Sequence, residues 1–273
     1  MGKFDGILIC TDLDGTLYRN DKTISKENKE AIEFFKSEGG YFTFVTGRLP
    51  YYSRDAFFAV QPNVPYGCIN GGGVYDGAQN RYVWTAELEN DALELVEFID
   101  KRFANVGIQL CCFDKTCFAK ENETTVRFRK ITGLPKISCD YKGFSEPIAK
   151  IIFCTDVEEE ILSVEKALRG HKLSDKFGFI RSERSLFEIL PRGVNKGLSI
   201  AKLSEYLKVE ANRTIAVGDY DNDVSMLRAA GCGIAVANAS KSALDAADVV
   251  TVSNEEHAIA RIIYDLESKK YVF

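Results

Sequence analysis

The chain has 273 residues, 45% of them hydrophobic and 27% charged, with a formal net charge of −5. This is the composition of a soluble globular protein of about two domains, able to bury enough surface to fold without a metal or disulfides. The mild acidity argues against a general nucleic-acid binder. No run is apolar and long enough to cross a bilayer, and Met1-Gly2-Lys3-Phe4-Asp5 lacks the features of a signal peptide, so a cytoplasmic location is expected.

In chain order, Gly6 to Thr11 reads as a buried strand and Ile24 to Ser37 as a helix, capped by Thr23 or Ser25 and closed by Gly39-Gly40. Tyr41 to Val45 reads as a strand, Arg54 to Val60 as a helix stopped near Pro62, and Tyr66 to Asn70 as a third strand before Gly71-Gly72-Gly73. This βαβαβ series predicts a parallel sheet with right-handed crossovers. From about Gly77 the pattern changes. Strands near Tyr82–Thr85 and Val106–Phe113 flank a helix around Asn90 to Phe103, and Lys115 to Lys120 pairs back through the Asp114-Lys115 turn. Pro147 to Thr155 reads as a strand, Val157 to Leu168 as a helix, and Phe177–Arg181 with Ser185–Leu190 as a hairpin. After Pro191-Arg192-Gly193 the βα alternation resumes. Helices are expected over Lys196–Leu207, Asp221–Ala229 and Lys241–Ala246, and strands over Arg213–Val217, Gly233–Val236 and Val249–Val252. Ser253 and Glu256 form a capping box for a last helix to about Glu267. The expected fold class is α/β: a Rossmann-like parallel-sheet core over residues 1–77 and 189–273, interrupted by an α+β cap over residues 78–188.

The stretch Thr11-Asp12-Leu13-Asp14-Gly15-Thr16-Leu17 is the most informative. Two carboxylates at the end of a buried strand are costly unless a cation or hydrogen bonds compensate. Gly15 lets the chain turn at once, and the carboxyl end of a parallel strand is where open α/β sheets keep their chemistry. Alone, an Asp-x-Asp is more simply an acidic turn. Three further segments weaken that reading: Val45-Thr46-Gly47-Arg48, Asn195-Lys196-Gly197 and Gly218-Asp219-Tyr220-Asp221-Asn222-Asp223. The Thr46 hydroxyl and Gly47 amide suit phosphate oxygens, and Arg48 either contacts substrate or braces its loop. Lys196 opens a helix, where the dipole disfavours a cation, so an anion should compensate it. Asp219 ends an apolar strand, and Asp223 lies four residues on, where a helical turn returns it to the same face. Asp221 reads as a helix cap.

In content and order these four motifs resemble those of the haloacid dehalogenase superfamily, and within it the Cof-like sugar-phosphate phosphatases; the resemblance covers essentially the whole chain. It implies Asp12 as nucleophile and metal ligand, Asp14 as general acid and base that also offers a backbone carbonyl to the metal, and Lys196 as a bridge between Asp12 and the phosphate. Asp219 is then the third protein ligand of the metal site, which Asp223 joins directly, through metal-bound water or by holding Lys196, with Asn222 at the phosphate or the metal shell. Hard oxygen donors point to Mg²⁺. The second carboxylate at Asp14 separates phosphatases and phosphomutases from the ATPase and dehalogenase branches. The expected function is Mg²⁺-dependent hydrolysis of small phosphorylated metabolites, with sugar phosphates as the expected class and a phosphomutase or a non-catalytic metabolite-binding regulator as the alternatives. Nothing in the pattern sets an oligomeric state. Arg181, Ser182, Glu183 and Arg184 are candidate cap contacts, beside the plain reading of a solvated hairpin turn. The eight cysteines form no Cys-x-x-Cys pair and read as free thiols.

Overall fold

The computed structural model describes residues 2–268. The chain divides into two compact units: one of residues up to Arg48, Ser53–Trp84 and the chain from Asn195 onward, the other of Leu49–Tyr52 and Thr85–Val194.

The first unit is built on a five-stranded parallel sheet in the order Val249–Val250, Cys232–Ala235, Thr214–Gly218, Leu8–Thr11, Tyr41–Phe44. Leu8–Thr11 is an interior strand, paired on both sides and fully buried, as its apolar run requires. Its Leu8 and Cys10 pack on one face with Ile200 and Leu203 of the helix Lys196–Leu207 and with Met226 and Leu227 of the helix Val224–Ala229. In the same unit the helix Lys26–Ser37 meets the last helix, Ala258–Glu267, where the buried Asn28 Oδ1 accepts from the Ala260 N–H at 2.9 Å. The register sets Thr11 opposite both Val217 and Phe44, which brings the carboxyl ends of three strands level.

Two expectations need correcting here. The third strand is short, Tyr66–Cys68, and joins the ladder of the parallel sheet through an isolated Val45–Gly67 bridge. It pairs antiparallel with Gly73–Asp76, and Arg81–Thr85 completes a separate three-stranded sheet. The cause is local: Ile69, Asn70 and Gly71 have φ of 58°, 51° and 99°, which turns the chain back where a strand would have continued. The second concerns the Ser253–Glu256 capping box, which closes a 3₁₀ turn, Asn254–Glu256; the final helix begins only after His257 at φ 61°.

The second unit is a five-stranded antiparallel sheet in the order Thr116–Lys120, Gly107–Cys112, Ile148–Cys154, Leu186–Pro191, Phe177–Glu183. Helices Ala92–Arg102 and Glu158–Arg169 cover one face, with Val96, Ile99, Ile161 and Val164 against Leu110, Ile151, Phe153 and Phe187. Alternation sends Lys150 and Glu188 to the other face. There the Lys150 ammonium lies 2.9 Å from both Glu188 oxygens, the Ser182 hydroxyl donates to Glu188 Oε1 at 2.6 Å, and both charged residues are 2% exposed. A helix absent from the expected elements, Glu123–Thr132, starts at a capping box between Asn122 and Thr125. Tyr51 bonds Thr116 at 2.6 Å, which ties the Leu49–Tyr52 segment to this sheet. Among the described residues no helix is long and apolar enough to cross a membrane.

Candidate active site

Asp12 follows the strand Leu8–Thr11 directly, and its N–H bonds the Val217 carbonyl at 2.8 Å, extending the ladder by one rung. Its neighbour strand ends at Gly218, so Asp219 arrives beside Asp12 by register. Behind them, Lys196 opens its helix with a 1% exposed side chain. Its ammonium lies 2.6 Å from Asp12 Oδ1 and 2.5 Å from Asp223 Oδ1, the anionic compensation expected for a cation at a helix start. Asp223 reaches that position through a 3₁₀ turn, Asp221–Asp223, rather than an α-helical one. Its second oxygen accepts from the Asp219 and Tyr220 N–H groups at 2.9 and 3.0 Å. The capping expected of Asp221 therefore falls to Asp223, while Asp221 accepts from the Ser240 and Ser242 hydroxyls.

Close packing fixes the loops. Thr16 donates to Asp219 Oδ1 at 2.6 Å. Gly15 has φ 82°, and a Cβ there would stand 2.5 Å from Asp219 Oδ2. Asn238 donates to the Gly15 carbonyl at 2.8 Å. Gly47 lies so near Asn70 that a Cβ would come within 2.9 Å of Asn70 Oδ1, the atom that also accepts from the Asn222 amide at 3.3 Å. Thr46 Oγ1 accepts from the Arg48 N–H at 3.3 Å.

Asp12, Asp219 and Asp223 each present an oxygen within 4.8 Å of the others. Three carboxylates gather here around one ammonium, which bonds Asp12 and Asp223. Burial pushes the Asp12 carboxyl well above its ordinary range against the pull of Lys196, with Asp223 and Asp219 adding to the push. Burial also raises Asp219, to about 6, although the Thr16 hydroxyl opposes it. Burial alone would discharge Lys196, but Asp12 and Asp223 outweigh it and raise its pKa. A surplus of buried negative charge on hard oxygen donors fits a divalent cation. The Asp14 side chain is not part of this group. Its Oδ2 takes the Arg48 guanidinium at 2.6 Å and its Oδ1 the Lys22 ammonium at 2.8 Å. Burial pushes that carboxyl up, yet Arg48 and Lys22 outweigh it and hold it below the ordinary range.

Every residue singled out from the motifs thus lies in the first unit. Asp12, Asp219, Asp223 and Lys196 touch; Asp14 and Arg48 form a second pair; Thr46, Gly47 and Asn222 meet at Asn70. Two participants escaped sequence reading. Asn70 carries a signal in hindsight, because Asn before Gly-Gly-Gly is the residue type that accepts left-handed backbone. Lys22 carries none, since a lysine in a polar turn is ordinarily solvated. The candidate contacts Arg181 and Arg184 both pair with Glu158, and Ser182 with Glu188.

Comparison with known proteins gives the family of the chain. Residues 9–263 match the model of the haloacid dehalogenase-like hydrolases. A 5-amino-6-(5-phospho-D-ribitylamino)uracil phosphatase of Bacillus subtilis is 30% identical over 267 residues, spanning 94% of this chain and 96% of that one. A second Bacillus subtilis phosphatase of the same description is 26% identical over 290 residues, 96% of this chain and 99% of its own. The crystal structure of a haloacid dehalogenase-like hydrolase from Bacteroides thetaiotaomicron superposes with a TM-score of 0.81 at 25% identity, covering 95% of this chain and 99% of that one. The chain belongs to the haloacid dehalogenase-like hydrolase family.

Proposed function

We propose that this phosphatase is a Mg²⁺-dependent phosphomonoesterase of small metabolites, with phosphorylated sugars and sugar alcohols as its substrate class. The observation that carries this reading is the buried Lys196 ammonium bridging Asp12 and Asp223 beside Asp219. An Asp12 oxygen attacks phosphorus to give an aspartyl-phosphate, while Lys196 holds the carboxylate and offsets charge on the transferring group. Asp14 protonates the leaving oxygen, then takes a proton from the water that opens the aspartyl-phosphate. Thr46, Gly47, Arg48 and Asn222 bind the phosphate. Asp12, Asp219 and Asp223, with the Asp14 carbonyl, would hold the cation, whose charge lets one anion approach another.

We assign the choice of leaving group to the unit containing Thr85–Val194, as a substrate-selecting cap, because all four motifs lie outside it. The sugar-alcohol class is supported by the Bacillus subtilis relative, named for a substrate whose phosphate sits on a ribityl chain. The test is release of inorganic phosphate from p-nitrophenyl phosphate with Mg²⁺, after EDTA, and with Ca²⁺. Activity with Mg²⁺ alone is expected, since Ca²⁺ accepts bidentate carboxylates and would occupy both Asp12 oxygens. Full activity in EDTA would defeat the reading. A panel of phosphorylated sugars and sugar alcohols then tests the class.

A further inference from the structure

Lys22 stands at the tip of the turn after the first motif, and nothing in the mechanism above uses it. The turn is built to hold it. The Lys22 N–H bonds the Arg19 carbonyl at 2.9 Å, and the Arg19 N–H bonds the Thr23 carbonyl at 2.9 Å. Asp21 Oδ1 accepts from both the Thr23 N–H and its hydroxyl, at 2.9 and 2.6 Å. Glu255 anchors the base through the Asn20 N–H at 2.7 Å and the Arg19 guanidinium at 3.2 Å. Lys22 itself takes left-handed backbone, φ 64°, an uncommon state for a residue that is neither Gly nor Asn. From there its ammonium reaches back eight residues to Asp14 Oδ1 at 2.8 Å, while Arg48 holds Oδ2. Each Asp14 oxygen has its own cation. A phosphate in the site offers Arg48 a competing anion, to which a guanidinium binds well. The Lys22 contact keeps Oδ1 occupied and leaves Oδ2 as the atom that exchanges a proton with the leaving oxygen.

We infer that Lys22 is a positioning residue for the proton transfer made by Asp14, selecting which carboxylate oxygen faces the leaving group. The inference rests on the phosphomonoesterase reading and extends it. The Lys22–Asp14 pair is exposed, with side chains 66% and 41% accessible, and such a pair adds little to stability, so Lys22→Met should fold normally.

The test compares two esters of similar shape with the full-length protein and Mg²⁺. Phenyl phosphate releases a phenolate as basic as that of tyrosine, with a pKa of about 10, and so needs a proton more than p-nitrophenyl phosphate does. Lys22→Met should lower kcat for phenyl phosphate by roughly tenfold more than for p-nitrophenyl phosphate, with KM little changed, and Lys22→Arg should restore most of the difference. Equal losses on both esters, a raised KM with kcat intact, or no loss would overturn the inference. Asp14→Asn, run alongside, separates the two levels. If it spares both esters, the role given to Asp14 fails and Lys22's with it. If it discriminates between them and Lys22→Met does not, only the Lys22 inference fails. No turnover of either ester by the wild type sinks both.

Discussion

Replacing Glu188 with Met should destabilise the protein more than any surface change. Lys150 and Glu188 are each 2% exposed, and the ammonium sits 2.9 Å from both carboxylate oxygens. Burial pulls the Lys150 pKa down, but Glu188 outweighs it and the net shift is upward. Glu188→Met removes that support and leaves a buried charge. Its cheapest escape is to lose a proton, which at pH 7 costs at most about 4.6 kcal/mol for a lysine of ordinary pKa near 10.4. Removing one partner of a buried pair typically costs about 3–5 kcal/mol, which agrees. The melting temperature should fall on the order of 10 °C. The sign with pH follows. In the variant the folded-state lysine pKa is depressed, so the deficit is full at low pH and closes as pH rises toward about 10.4. The wild-type contribution, from a raised pKa, holds steady below that value. Thermal and urea melts between pH 7 and 10 should therefore show the gap narrowing, and Lys150→Met/Glu188→Met should recover most of the loss. A deficit under about 1 kcal/mol, a constant gap, or a double variant as weak as the single would refute this account.

Asp12→Asn should abolish phosphate release while near-native circular dichroism is kept, because it removes the nucleophile and one charge from a crowded acidic cluster; turnover within a few-fold of wild type would contradict the assignment. Gly15→Ala should weaken Mg²⁺ binding, read by titration calorimetry, because its Cβ would strike Asp219 Oδ2 from a left-handed backbone. Seven of the eight thiols are buried, and burial pushes even the half-buried Cys139 up to about 12, so a thiol reagent should label at most one cysteine quickly in the native protein and all eight in denaturant. Rapid labelling of several would argue against the packing described.

What could be read from the sequence was what local chemistry determines. The helices Lys196–Leu207 and Lys241–Ala246 have the expected bounds, because Asn195 and Ser240 cap them with side-chain hydrogen bonds to Leu198 and Ala243. The parallel framework followed from buried apolar runs alternating with helices. The helix Glu123–Thr132 went unseen because its ten residues are mostly polar, and its capping box uses Thr125 where Glu or Gln is the familiar sign. Tyr66–Cys68 was assigned to the wrong sheet because left-handed backbone at Ile69 carries no mark in a β-branched residue. In the site, the residue types named the acidic cluster and its lysine. Partnership between Lys22, Arg48 and Asp14 depends on where a turn returns the chain, which spacing alone does not give.

The interior position of Leu8–Thr11, between an early partner and a late one, has a consequence for synthesis. Its partner on one side, Tyr41–Phe44, leaves the ribosome soon after it, but the other, Thr214–Gly218, follows some 200 residues later. At about 5–20 residues per second that is roughly 10–40 s during which a strand that the folded sheet buries completely presents an unpaired edge. The sheet of the second unit, Gly107–Pro191, is complete before Thr214 is made. The growing chain therefore carries a finished antiparallel module beside an unfinished parallel one, and a nascent-chain chaperone would find its binding site at the Leu8–Thr11 strand.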